Sequence, residues 1–217
     1  MPWPQWRNRR DDAHLRAAMA ALLRPGANCI DVGANVGSVL ADVVRLAPLG
    51  NHIAFEPLPE LADRLRVRFP GVEVRCAALA DRDGEATFHR RLDADSRSGL
   101  HPLGGPAETL TVPLETLDGV LGDGYVPDFV KIDVEGAELA VLEGALATLV
   151  RHRPVVAFEH GRAALEYGTT HGMVHDLLCG RAGLRIFDMD GEGPFDRPTF
   201  ERVADPPGRR WNFLARP

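Results

Sequence analysis

Residues 31–37, Asp-Val-Gly-Ala-Asn-Val-Gly (DVGANVG), decide the fold. Before them, residues 27–32 (ANCIDV) are short and mostly apolar; after them, residues 38–47 (SVLADVVRLA) have apolar side chains at helical spacing. The order is strand, glycine-rich turn, helix. Gly33 and Gly37 permit a tight turn and a close approach of backbone to ligand, and Asn35 tolerates a left-handed backbone better than other non-glycine residues. The helix that follows starts with N–H groups that lack intrahelical partners, so the turn is predicted to hold one edge of a cofactor.

The same rhythm continues. Residues 51–55 (NHIAF) predict a second strand ending at Glu56, residues 60–69 a second helix, and residues 72–76 (VEVRC) a third strand. Strands are also predicted at 129–132, 155–158, 184–188 and 211–215, with helices over 137–149 and 169–182. Alternating strands and helices define an α/β fold with a parallel sheet, seven strands in all. Between the third and fourth strands the rhythm breaks: a short strand over 85–90, an irregular stretch over 93–108, extended structure near 109–112 and a short helix over 114–121. Loops of that length are often functional or disordered. Residues 11–23 (DDAHLRAAMAALL) predict a helix with Leu15, Met19, Leu22 and Leu23 near one face, ended by Pro25 and Gly26. The chain therefore divides into an N-terminal helical extension, 1–26, and one domain, 27–217.

Composition narrows the function. A net charge of −6 argues against binding a phosphate backbone, which needs clustered cations. No run approaches the roughly 18 apolar residues of a membrane span, and the first ten residues lack the apolar segment of a secretory signal, so a cytoplasmic location is expected. Cys29, Cys76 and Cys179 are odd in number and widely spaced, as suits reduced thiols.

In an open α/β sheet, ligands bind beyond the carboxyl ends of the strands. Asp31, Glu56, Asp133 and Glu159 each follow an apolar strand segment there. Glu56 is placed to accept from adjacent ribose hydroxyls. The turn is GxNxG instead of the GxGxxG of dinucleotide sites, and Asp31 would repel phosphate, whereas it suits an ammonium-bearing ligand. S-adenosylmethionine has the ammonium and the ribose and no phosphate. Asp133 is a candidate to orient or deprotonate an acceptor hydroxyl. His160, next to Glu159, is a candidate base, although neighbouring strand residues face opposite sides. His171 and His175 are spaced i, i+4 without a third ligand, so no metal site is assigned; a divalent cation on Asp133 and Glu159 stays an alternative. Lys131, inside the fourth predicted strand, has a stem long enough to cross apolar packing and reach a carboxylate at the polar rim.

Four motifs, DVGANVG at 31–37, FEP at 55–57, PDFVKIDVEGAE at 127–138 and RPVVAFEH at 153–160, resemble the FkbM family of S-adenosylmethionine-dependent methyltransferases, and the closing NFLARP at 212–217 is similar to its terminal strand. The resemblance implies a class I methyltransferase (Rossmann-like) fold, a seven-stranded mostly parallel sheet with an antiparallel last strand. It implies that Asp31, Gly33, Asn35 and Gly37 surround the methionine part of the cofactor, that Glu56 contacts the ribose, that Ala78 lies near adenine, that Asp133 and Glu159 face the acceptor, and that the irregular 93–108 segment is a candidate for acceptor contact. The implied activity is O-methylation of a small-molecule or sugar hydroxyl. A noncatalytic S-adenosylmethionine-binding protein and an NAD-dependent oxidoreductase are the alternatives, and acceptor identity and oligomeric state are left open.

Overall fold

The computed structural model describes residues 5–93, 98–102, 105–122, 124–204 and 210–217; part of the 93–108 stretch and residues 1–4 of the extension lie outside the described residues. In chain order the first elements are α1 (Gln5–Leu22), β1 (Cys29–Val32), α2 (Ser38–Leu46), β2 (His52–Phe55), α3 (Pro59–Arg68) and β3 (Val72–Arg75). Then come β4 (Ala78–Leu79), β5 (Gly84–Arg91), β6 (Ala107–Glu115), α4 (Leu117–Val120) and β7 (Phe129–Ile132). The last part holds α5 (Glu138–Glu143), α6 (Leu146–His152), β8 (Val155–Glu159), α7 (Arg162–Glu166), α8 (His171–His175), a π-helical turn (Asp176–Arg181), β9 (Arg185–Asp188), α9 (Arg197–Ala204) and β10 (Asn212–Arg216).

Side chains alternate across a strand, and the central strands are apolar on both faces because helices cover both. Ile30, Val32, Val130, Ile132, Val156 and Phe158 enter one apolar cluster with Leu139, Leu142 and Leu149. Cys29, Phe129 and Ala157 face the other way and meet Met19 of α1 and Val43 of α2. The sheet order is β3-β2-β1-β7-β8-β10-β9. Its neighbours from β3 to β8 are parallel, and β10 runs antiparallel to both β8 and β9, the seven-stranded arrangement expected. Every strand from β1 to β8 in this sheet thus ends at the same rim.

The irregular middle of the chain is more ordered than its periodicity indicates. β5 and β6 pair antiparallel from Gly84↔Leu114 to Arg91↔Ala107, and with β4 they form a second, three-stranded sheet. Phe88, Val112 and Leu114, together with Ala78 of β4, pack it against Leu58 and Leu61, at the rim beyond β2 and β3.

The helix expected over 137–149 is two helices. Gly144 comes so close to the Ala80 carbonyl that a Cβ would collide with it, and the Asp118 carboxylate accepts from Ala147 N and Thr148 N at 2.8 Å each. That carboxylate caps a new start, α6, in mid-segment. The helix expected over 169–182 starts as α8 and widens into the π turn, while α7 and α9 are additional. In α1 Met19 is fully buried, but Leu22, expected on the same face, is 39 % exposed, since it lies one step off the buried stripe.

Candidate active site

Sheet register builds the centre of the site. It pairs Asp31 with Lys131 across β1 and β7, and Lys131 with Ala157 across β7 and β8. Residues in register share a face, so the lysine lies between a carboxylate and a side chain small enough to leave room for its stem. Its Nζ sits 3.5 Å from Asp31 Oδ1 and 3.4 Å from Asp133 Oδ2, and donates to the Gly33 carbonyl oxygen at 3.1 Å. Burial opposes the charge on this amine, but Asp133 and Asp31 outweigh it and hold its pKa above the ordinary lysine value. Asp31 is buried beneath; burial pushes its carboxyl up while Lys131 pulls it down.

The glycine turn closes over that pair. Gly33 N and Ala34 N both donate to the Phe55 carbonyl at 3.0 Å, and Gly33, Asn35 and Gly37 all have positive φ, 78°, 49° and 77°. Glu56 then fixes the turn from the next strand. Its Oε2 accepts from Asn35 N at 2.8 Å and its Oε1 from Leu58 N at 2.9 Å. Burial raises the pKa of this carboxyl, and the two N–H groups oppose the rise. Each oxygen keeps further acceptor capacity, so a ribose hydroxyl pair fits it without displacing the backbone contacts.

A cavity of about 460 Å³ opens at the rim, within the size range of small-ligand sites. Gly33, Asn35, Glu56 and Ala78 line it, and so do Asp133 and Glu159. Asp31 and Gly37 are not on its surface. Asp31 lies against Lys131, and Gly37 packs the turn onto α3, where a Cβ would come within 2.7 Å of Leu65 and Phe69.

Strand alternation separates Glu159 from His160. Glu159 shares the Lys131 face and lines the cavity, half-buried. Its carboxyl is pushed well above the ordinary range, first by burial and then by Asp133, Glu135 and Glu138. His160 points to the opposite face and is completely buried, 4.8 Å edge-on from the His171 ring and 6.3 Å from Phe200. Burial, and then His171, hold it neutral, its pKa lowered to about 3. The candidate base of the sequence therefore sits in an aromatic cluster that His175, 6.2 Å from Phe200, also joins.

Along one wall of the cavity, residues 133–137 form a strained turn with φ of 54° at Glu135 and 107° at Gly136. Glu138 holds it: Oε1 accepts from Gly136 N at 2.9 Å and from Val134 N at 3.3 Å. Glu138 is 1 % exposed, and burial pushes its carboxyl from the ordinary 4.5 up to about 7. The folded state thus binds this proton more tightly than the unfolded chain. Its stabilising effect is complete below about pH 4.5 and is lost as pH rises to about 7, a change of about 3 kcal/mol. Glu138→Gln, which keeps the acceptor oxygen, is expected to remove that part of the slope and to be more stable than the parent at pH 8. Urea unfolding at several pH values checks this; parallel profiles for the two proteins would refute it.

Several lining residues come from segments whose individual contacts the sequence does not specify. Ser98 and Leu100 come from the 93–108 stretch, whose backbone bridges β5 through His89 N to Gly99 O at 2.8 Å. Tyr167 Oη accepts from His101 N at 2.8 Å and ties this piece to the residues after α7. Asp12 and Leu15 of α1 line the cavity as well. Their i, i+3 spacing was the available signal, but spacing does not say what a helix covers.

Fold and rim cavity together define a class I methyltransferase architecture. The family model described as the methyltransferase FkbM domain matches residues 31–186, and the chain belongs to that family. It is 27 % identical to the 2-O-methyltransferase NoeI of Sinorhizobium fredii over 214 residues, which covers 88 % of this chain and 79 % of that protein. It is 32 % identical to the hexuronic acid methyltransferase AglP of Haloferax volcanii over 120 residues, 52 % of this chain and 48 % of that one. A third match, to the AMB antimetabolite synthetase AmbE of Pseudomonas aeruginosa, is 29 % identical over 210 residues, 76 % of this chain and 10 % of the other. The chain thus spans about half of AglP and a tenth of AmbE. Among solved structures, the FkbM methyltransferase of Methylobacillus flagellatus superposes with a TM-score of 0.56 at 19 % identity, covering 91 % of this chain and 45 % of that one. The TehB-like methyltransferase of Corynebacterium glutamicum gives 0.50 at 15 % identity, covering 97 % and 92 %. At these identities the structures bear on the fold.

Proposed function

We propose that this protein transfers a methyl group from S-adenosylmethionine to a hydroxyl oxygen of a small-molecule or sugar acceptor. The carrying observation is the pairing, in one cavity, of Glu56, fixed beside the glycine turn by two backbone N–H groups, with Glu159 across the rim. Membership of the FkbM methyltransferase family supports the reaction, and the activities for which NoeI and AglP are named support a sugar-type acceptor.

Bound at the turn, the cofactor supplies an electrophilic methyl on its sulfonium. Gly33 and Asn35 would hold the methionine part, Glu56 the ribose, and Ala78 would border the base. Asp31 keeps Lys131 charged and in place, and Lys131 fixes Asp133 toward the acceptor. Glu159, which lines the cavity on the Lys131 face, would take the hydroxyl proton as the acceptor oxygen bonds to the methyl carbon, the carbon–sulfur bond breaks and S-adenosylhomocysteine leaves. His160 is too enclosed for this and holds the packing of β8 against α8 and α9. Positioning of the two reactants supplies much of the rate.

Transfer of label from methyl-labelled S-adenosylmethionine to a panel of sugar hydroxyls tests the reading. Glu159→Gln is expected to lower kcat by about a hundredfold with cofactor affinity unchanged. An unchanged kcat would remove Glu159 from the proton transfer, and absence of label transfer to every hydroxyl acceptor would leave a binding protein.

A further inference from the structure

The charges on the cavity wall do not balance. Among the described lining residues the acids include Asp12, Glu56, Asp133 and Glu159, and Lys131 is the one cation. Lys131 is committed to Asp31, Asp133 and the Gly33 carbonyl, and Glu56 to two backbone N–H groups. Asp12 stands at the mouth, exposed, with no hydrogen bond or ion pair of its carboxylate among the described residues. Arg16, one helical turn away, makes its ion pair with Asp42 at 3.0 Å and acts on Asp12 through its charge alone.

The helix that carries Asp12 is firmly seated. Met19 is buried among Cys29, Phe129 and Ala157, and Asp11 Oδ2 accepts from Asn212 Nδ2 at 3.1 Å. That seating turns Asp12 and Leu15 to the cavity together, a charge beside an apolar surface. α1 also lies outside the matched family segment, 31–186. No three acids or histidines among the described residues are grouped to hold a metal ion, so the excess negative charge fits an organic cation better than a chelated one.

Resting on the methyl-transfer reading above, we propose that α1 completes the acceptor side of the cavity and that Asp12 receives an ammonium group of the acceptor, an amino sugar or similar amino alcohol. Leu15 packs on its carbon skeleton. An anionic acceptor, such as the hexuronic acid for which AglP is named, meets repulsion from Asp12, Asp133 and Glu159.

The test uses the full chain saturated with S-adenosylhomocysteine and three matched probes: methyl glucosaminide, methyl glucoside and methyl glucuronide. The amine is expected to bind about tenfold more tightly than the neutral glycoside, with the uronide weakest. Asp12→Asn is expected to bring the amine to the level of the neutral probe, leaving the neutral probe and S-adenosylhomocysteine unaffected, and Asp12→Glu to retain the preference. Equal affinities, failure of the amine to bind, a preference for the uronide, or a loss in Asp12→Asn that falls on S-adenosylhomocysteine overturns this proposal alone. Failure of S-adenosylhomocysteine to bind the folded protein overturns the methyl-transfer reading and this proposal with it.

Discussion

Lys131→Met is expected to cost about 3–5 kcal/mol of stability, because it strips the cation from a buried carboxylate while leaving the carboxylate in place. Asp31 is 1 % exposed and has no charged partner besides Lys131 among the described residues. In the variant it must either hold an unpaired charge in the interior or take up a proton. Methionine matches the stem of lysine in length, so lost packing contributes little. Replacing both, Asp31→Asn with Lys131→Met, should recover much of the loss, since neither charge is then buried. Urea unfolding of the three proteins at neutral pH measures this; a loss under about 1 kcal/mol in the single variant would show that the pair is not the electrostatic centre of the site.

Gly33→Ala is expected to be about as damaging to stability and worse for ligand binding. Its φ of 78° costs a side-chain-bearing residue about 1–2 kcal/mol. A Cβ there would also collide with the Asp133 carbonyl oxygen, which is backbone and cannot swing aside. Relief requires the turn and the end of β7 to separate, and that motion breaks the Lys131 contact to the Gly33 carbonyl. The expected result is destabilisation of about 3–5 kcal/mol together with loss of S-adenosylmethionine binding by more than about a hundredfold. Thermal unfolding with and without the ligand checks both. A variant that binds normally would mean that the cofactor does not use this turn.

The parts of the site that the sequence discloses are those made by short-range order. Asp31, Glu56, Asp133 and Glu159 follow apolar strand segments, and a parallel sheet delivers all such positions to one rim whatever the register. The glycine turn is legible because its three positive-φ positions are occupied by glycine and asparagine. His160 illustrates where adjacency misleads: which of two neighbours faces the cavity depends on strand parity, and parity is fixed by packing against β7 and β10. The break between α5 and α6 has one local sign, Gly144, but what fixes it lies elsewhere: the Ala80 carbonyl that Gly144 approaches, and Asp118, about twenty-nine residues upstream of the amides it caps. Likewise the cover supplied by α1 and by residues 98–102 depends on long-range docking, through Asp11 to Asn212 and Tyr167 to His101. Helical periodicity locates such an element and leaves its destination open.

The most direct test of the account is calorimetric titration of the protein with S-adenosylmethionine and, separately, with NAD, repeated on Glu56→Ala. The account predicts saturable binding of S-adenosylmethionine, none of NAD, and a loss of at least about tenfold in the variant, where the Asn35 and Leu58 amides lose their shared acceptor and the ribose its partner. Selective binding of NAD, no binding of S-adenosylmethionine by the folded protein, or undiminished binding in the variant would contradict it.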